Sequence, residues 1–552
     1  MQRIFLILLL LLTALSMMAQ RMIRRSSRLY VEAQQLPDRV EPLLTDRWHQ
    51  YDPYNSLCPL DENGDRCAVG CVATALSEVM YYWRWPEKGM GYHEYKDSLG
   101  CKQTLSARFS DHIYHWDKML DVYAKGAYTQ EQVDAVALLG SDCGIAVNMR
   151  YGKDSSAARY VRQPIALADF FSYDRGVQMY YRDFYSLAEI TLMLKQELAA
   201  GRPVLISGYN LNGGHAYVID GYNEEEEFHI ALGQGDGWGD GWTALTNMTP
   251  DQPQWYDHDS PENGYNLFQI FIMGIMPNMH PLATGIERHQ FACQCLNAVV
   301  DPLQPKPVYW RNRVNVAVRD LANVGWNLHA DSVALMLMRD GERVAPLHVY
   351  KRDFLLEAVE DTTYTDTLSL SFPINIRDGV YTLVPMYRDH NLDGGHEWRE
   401  VRTSTGTPNY LIANLKGLFV TLSSDTLSSA YLTLEDIDFP DVLMTESRPE
   451  YSLTFKGHNA EMAGRFYLLM EPLDPDKKSF YLHRQGITID KDEVSTRYFH
   501  KSRVYPHNEG QYRLHVLYEA NLFSDDLIEL PLPEEKIVTI LPVEGIQIAN
   551  RQ

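Results

Sequence analysis

The sequence predicts an α+β domain over residues 45–282, followed by two all-β sandwich domains of immunoglobulin-like size over 283–422 and 423–552. Three observations carry this. Capped runs with helix-spaced apolar residues fill the chain to about residue 200, and glycine-bounded, strand-like runs follow them. From about residue 283 the texture changes to short alternating runs broken by turn signals, spread over roughly 130 residues per module. Helices first and antiparallel-looking strands later is the α+β order.

The bulk numbers agree. A chain of 552 residues is too long for one ordinary core, and 45% apolar with 22% charged residues is a globular balance. Acidic residues outnumber basic ones 73 to 50, for a net charge of −23. That balance argues against nucleic acid or an anionic membrane surface as the main partner.

Residues 1–20 read as a secretory signal: Arg3, an apolar run from Ile4 to Leu15, and the small-residue end Ser16 to Gln20. The run is shorter than the roughly 20 residues a membrane span needs, and no later stretch is apolar enough. Export to the periplasm, cell surface or medium is expected, with no membrane span. A short Arg-rich segment, 21–44, precedes the first domain.

From Trp48 to Pro59 the chain is an aromatic, turn-rich loop. After Cys71 the apolar positions Val72, Leu76, Val79, Met80 and Trp83 keep helical spacing until Pro86. Thr129 to Gln132 offers a capping box to a helix ending near Leu139. Ser186 with Glu189 does the same for a helix that Ala200-Gly201 closes. Pro203 to Ser207, Ala216 to Ile219 and Phe228 to Leu232 read as strands. Beyond 283, Val314 to Val318, Ser332 to Met338, Tyr381 to Val384, Tyr451 to Phe455, Phe466 to Met470 and Tyr512 to Tyr518 continue the β pattern.

The seven cysteines are Cys58, Cys67, Cys71, Cys101, Cys143, Cys293 and Cys295, so an exported chain keeps at least one free thiol. Pairing of Cys58 with Cys67, or of Cys101 with Cys143, stays open at this point. Cys293 and Cys295 are too close for an easy bridge, and no second cluster gives them zinc spacing.

A thiol attacks as thiolate, and both a helix N-terminus and a neighbouring imidazolium lower its pKa. Cys71 sits where a glycine loop becomes a helix, and His215 opens a strand after Gly213-Gly214. Taken alone such a pair is more often a buried thiol and a strand-end histidine. Its surroundings recur, however: Gln50 with Pro53-Tyr54-Asn55, Cys58-Pro59, Gly70 to Ala75, Gly144 to Gly152, Gly201 to Val204, and Gly213 to Gly221.

These ordered blocks, over about residues 45–280, resemble the streptopain family of secreted papain-like cysteine peptidases, including its interpain-type members. The resemblance implies a papain-like fold and a cysteine endopeptidase acting on proteins or peptides, with Cys71 as nucleophile and His215 as general base. It gives Gln50 the oxyanion-hole role, with no cofactor and no metal. One block departs from the pattern. The family follows the histidine strand with His-x-Asn-Trp-Gly-Trp, whose Asn orients the imidazole; aligned through His229, those positions are Ala231 and Leu232. Sliding the loop brings Gln234 or Asp236 to that place, with Trp238 at the second Trp. Alanine cannot hold the imidazole, so a catalytically impaired binding module is the alternative, and other acyl transfer on the same fold is a third. The family's inhibitory prosegment is also missing, which leaves either no zymogen or inhibition by a separate protein or by the C-terminal modules. A monomer is expected.

Asp389-His390-Asn391-Leu392-Asp393-Gly394 with Glu400 satisfies a calcium-loop pattern. Its flanks read as strands where an EF-hand needs helices, so a polar hairpin turn is the better reading.

Overall fold

The computed structural model describes residues 36–210, 213–235, 239–248, 264–278, 291–292, 295–298, 308–323, 330–350, 364–389, 398–425, 430–499, 504–519 and 527–542. Residues 1–20, most of the Arg-rich segment, Asp236, Trp238 and Cys293 lie outside these residues.

The first helix, α1 (Cys71–Trp83), starts at Gly70, whose φ of 90° turns the loop into the helix axis. Only glycine suits this corner: a Cβ there would stand 2.7 Å from the Met149 thioether. Val72, Leu76, Val79 and Met80 are buried, as their spacing predicts. Helix α2 (Gln130–Ala146) has the expected Thr129–Gln132 capping box but runs past Leu139 to Ala146. A further helix, α3 (Arg162–Phe170), has no counterpart in the sequence reading. The last, α4 (Leu187–Ala199), is capped by Ser186 and Glu189, and Gly201 with φ 70° ends it.

A two-stranded ribbon, β1 (His93–Lys96) and β2 (Thr104–Ala107), lies among the helices in sequence. The main sheet then gathers β3 (Gln178–Tyr181), β4 (Val204–Asn210), β5 (Gly213–Tyr222), β6 (Glu227–Ala231), β7 (Gly241–Ala244) and β8 (Leu267–Met273) in the order β3-β8-β4-β5-β6-β7, antiparallel throughout. From Ala216 to Tyr222 strand β5 is buried at every position, and α1 and α4 both pack against it. A chain segment ahead of α1 is stitched to its end: Val40 pairs with Tyr222, the Leu43 N–H donates to the Asp220 carbonyl, and the Leu44 N–H donates to the Asp220 carboxylate.

The described cysteines Cys58, Cys67, Cys71, Cys101 and Cys143 are all free thiols, which removes both pairings left open above. Cys143 instead packs its sulfur 3.6 Å from that of Met80 in the α1–α2 core.

Contacts divide the chain into two compact units. One, residues 285–403 and 408–427 in its described parts, is a pair of antiparallel sheets. Val316 and Val318 of one sheet and Leu335, Leu383 and Ala413 of the other share its core. The Asp389 motif falls in this unit, between strand Gly379–Asp389 and a short strand Arg399–Glu400 that pairs back on it. Strands on both sides fit the hairpin reading; His390 to Glu397 lie outside the described residues.

The other unit joins residues 38–284 to 404–407 and 428–552, so the last β module packs with the first domain. That module also has two sheets, with Leu453, Phe455, Phe466, Leu468 and Val516 in a common core. No helix among the described residues is long and apolar enough to cross a membrane.

Candidate active site

The fold brings Cys71 and His215 together. Cys71 is the first residue of α1 and is partly exposed, and His215, third in β5, is almost buried. Burial alone would raise the Cys71 thiol. A hydrogen bond and charge from His215, helped by the Ala216 and Val72 N–H groups, outweigh it and lower the thiol's pKa. Burial alone would lower the His215 pKa; the Cys71 sulfur and the Leu232 carbonyl reverse it, and the imidazole's pKa is raised. Opposite shifts in two touching groups favour a thiolate beside an imidazolium.

At the Ala231 departure the main chain supplies His215 with a partner. Ala231 ends β6 opposite Val218, is buried, and offers His215 no side-chain acceptor. The next residue does the work: the His215 Nε2–H donates to the Leu232 carbonyl at 2.8 Å. This bond puts the proton on Nε2 and turns Nδ1 toward the thiol, the task an orienting amide performs. Leu232 is itself anchored, since its N–H donates to Asp240 Oδ1 at 2.7 Å and Arg47 lies 3.6 Å from the other carboxylate oxygen. Burial raises the Asp240 carboxyl, while the Leu232 N–H and Arg47 oppose that rise.

More carboxyls lie deeper. Asp220 pairs with His229 at 2.6 Å, and burial pushes Asp46 and Glu78 far above the usual range, favouring their neutral forms. Glu78 sits under the loop that carries Leu232: a Cβ on Gly233 would stand 3.5 Å from its carboxyl.

Gln50 is half-buried, and its carbonyl accepts from the Val69 N–H at 2.9 Å, which ties it beside the Gly70–Cys71 corner. Above the imidazole, the Tyr265 ring lies 5.2 Å from His215 and Tyr217 5.9 Å from it. Gly214 leaves room for Tyr209, whose ring would lie 2.7 Å from a Cβ there. Gln234 is described and half-buried, but the imidazole's partner is Leu232.

Sequence reasoning missed Leu232, Asp240 and Tyr265. A main-chain carbonyl carries no sequence signal; the Asp240-Gly241 dipeptide just beyond the glycine loop was the one clue available. Among the described residues no cluster of His, Cys, Asp and Glu has the arrangement to hold a metal ion.

Residues 48–243 match the family profile described as the Peptidase C10 family. The chain is 31% identical over 251 residues to the thiol protease/hemagglutinin PrtT of Porphyromonas gingivalis, covering 44% of this chain and 28% of that protein. It is 32% identical over 244 residues to streptopain of Streptococcus pyogenes, covering 42% of this chain and 60% of that one. The chain thus spans less than two thirds of either relative. Among solved structures, active interpain A cysteine protease of Prevotella intermedia is 29% identical over 44% of this chain and 96% of that one, with a TM-score of 0.39.

Proposed function

We propose, from the match of residues 48–243 to the Peptidase C10 family profile and the similarity to streptopain, that this protein is an exported cysteine endopeptidase of papain-like type. In this reading the Cys71 thiolate attacks the scissile carbonyl of a protein substrate. His215 donates its proton to the leaving amine, and a thioester remains on Cys71. Water, deprotonated by the same imidazole, then releases the acid product. The Gln50 side-chain amide and the Cys71 N–H stabilise the oxyanion, a contribution of about 10²–10³ in turnover per donor. Gly213 and Gly214 let the substrate backbone approach the imidazole.

The observation that carries the reading is the 2.8 Å bond from His215 Nε2 to the Leu232 carbonyl. It supplies the orientation whose loss at Ala231 was the ground for an impaired binding module. Casein digestion by the wild-type protein and by Cys71→Ala tests the proposal. Turnover by the wild type alone is expected. Equal turnover by both, or none by either, overturns it.

A further inference from the structure

We propose that the C-terminal β module is a built-in brace for the histidine wall of the cleft, so that the geometry of His215 depends on residues about 250–300 positions further along the chain. The inference rests on the reading of Cys71 and His215 as the reacting pair.

The module's strand Met462–Pro472 faces the turn after β3, and its neighbour Phe480–Ile489 faces β8. Arg465, buried, reaches Asp183 at 3.2 Å and Glu519 at 3.1 Å, and its guanidinium lies 4.0 Å from the centre of the Phe268 ring. Glu461 reaches across too. It pairs with Arg182 at 3.1 Å and accepts the Leu187 N–H at 2.9 Å, at the N-terminus of α4 where a carboxylate is favoured. The faces meet closely: a Cβ on Gly486, which pairs with Arg465 in the sheet, would stand 2.6 Å from the Asn266 carbonyl. A small cavity of about 30 Å³ between them, lined by Asp183, Phe268, Arg465 and Gly486, has room for water. A loosely tethered module would not bury charges in pairs like this.

What the module grips is the strained part of the site. Phe268 has φ 51°, a left-handed conformation that bulky residues rarely adopt and that persists only where the surroundings enforce it. It lies at an irregularity in the β4–β8 pairing between Ser207 and Tyr209. Two short routes run from there to the imidazole. The Phe268 ring meets Tyr209 edge-on at 5.9 Å, and Tyr209 lies over Gly214, the residue before His215. Three residues before Phe268, Tyr265 packs its ring directly on His215. Arg465 stacked on Phe268 therefore fixes the conformation from which both contacts on the histidine are set.

The test is a wedge placed on the module's side, Gly486→Phe, in the full chain, with Gly486→Ala as the milder variant. Two readouts are taken: kcat/KM on casein, and the pH dependence of Cys71 alkylation by iodoacetamide, which reports how His215 faces the thiol even without turnover. The expected result for Gly486→Phe is a fall of about tenfold or more in kcat/KM, carried mainly by kcat, as small misplacements of reacting groups produce. The alkylation midpoint should move up toward that of an ordinary thiol, and Gly486→Ala should shift both readouts the same way by less. A folded Gly486→Phe protein with the wild-type alkylation profile overturns the brace; if that variant does not fold, Gly486→Ala decides on the same two outcomes. A wild-type protein without casein turnover removes the endopeptidase reading instead, and the alkylation comparison still judges the brace.

Discussion

Removing the acceptor behind Leu232 should disable the site without touching it. Asp240 Oδ1 receives the Leu232 N–H at 2.7 Å, and the Leu232 carbonyl holds His215 at 2.8 Å, so the two bonds act in series through one residue. A hydrogen bond to a charged group contributes about 1.5–3 kcal/mol. If Asp240→Ala loses that amount from the orientation of the Leu232 carbonyl, kcat/KM falls by roughly 10- to 150-fold, at about 1.4 kcal/mol per factor of ten. Asp240→Asn keeps an acceptor oxygen at the same place and should retain most of the activity. The assay is steady-state hydrolysis of casein at neutral pH for both variants, paired with thermal melting to show that they remain folded. Asp240→Ala within twofold of wild type would refute the series arrangement, as would equal losses in both variants.

Further outcomes follow from the same geometry. The pH profile of kcat/KM should be bell-shaped, because the pair reacts only as thiolate and imidazolium. A lowered Cys71 pKa puts the acid limb below the thiol's ordinary 9.0, and a raised His215 pKa puts the alkaline limb above the imidazole's ordinary 6.5; a profile peaking outside those limbs contradicts the pairing. Gly70→Ala forces a Cβ onto a residue at φ 90° and against Met149, so it should cost about 1–3 kcal/mol and lower the fraction of Cys71 titratable by a thiol-directed peptidyl inhibitor. In the C-terminal module, burial holds His483 down at about 4, against an ordinary 6.5. The unfolded chain therefore binds the extra proton first, so stability is full above 6.5 and falls by up to about 3 kcal/mol as pH drops to 4. Urea midpoints measured across that range should show the loss, and His483→Phe should flatten it.

The parts of this molecule legible in the sequence are those that local chemistry writes. Thr129 with Gln132, and Ser186 with Glu189, announce their helices because each cap is closed by residues three apart. Cys71, His215 and Gln50 were singled out through the likeness of the ordered blocks around them to the streptopain family, since nothing local to any one of the three names its role. Helix α2 overruns its predicted end because Gly140 and Gly144 serve there as contact points, Gly140 near Val69 and Gly144 under the Tyr151 ring, rather than as stops. Helix α3 was hidden by Pro164, which the first turn of a helix tolerates. The carbonyl of Leu232 was illegible in principle, since every residue has one and only the register of β5 against β6 selects it. The docking of the C-terminal module was illegible for another reason: Arg465 and Asp183 are 282 positions apart, and nothing local to either charge names its partner.

The stitching of residues 40–44 to the end of β5 has a consequence for how errors spread through the site. Gln50 follows that stitched segment by a few residues, and His215 stands on the same strand, near its other end. Both groups are thus measured from a single ruler. A thermal shift or a core substitution that slides β5 by a fraction of an ångström carries imidazole and amide together, and their spacing survives. Cys71 is tied to Gln50 through the Val69 N–H and to β5 through α1, which rests on that strand. The coordinate left free is the height of that helix above the strand, so repacking at Val72, Leu76 or Val79 reaches the chemistry more directly than equal damage elsewhere in the core.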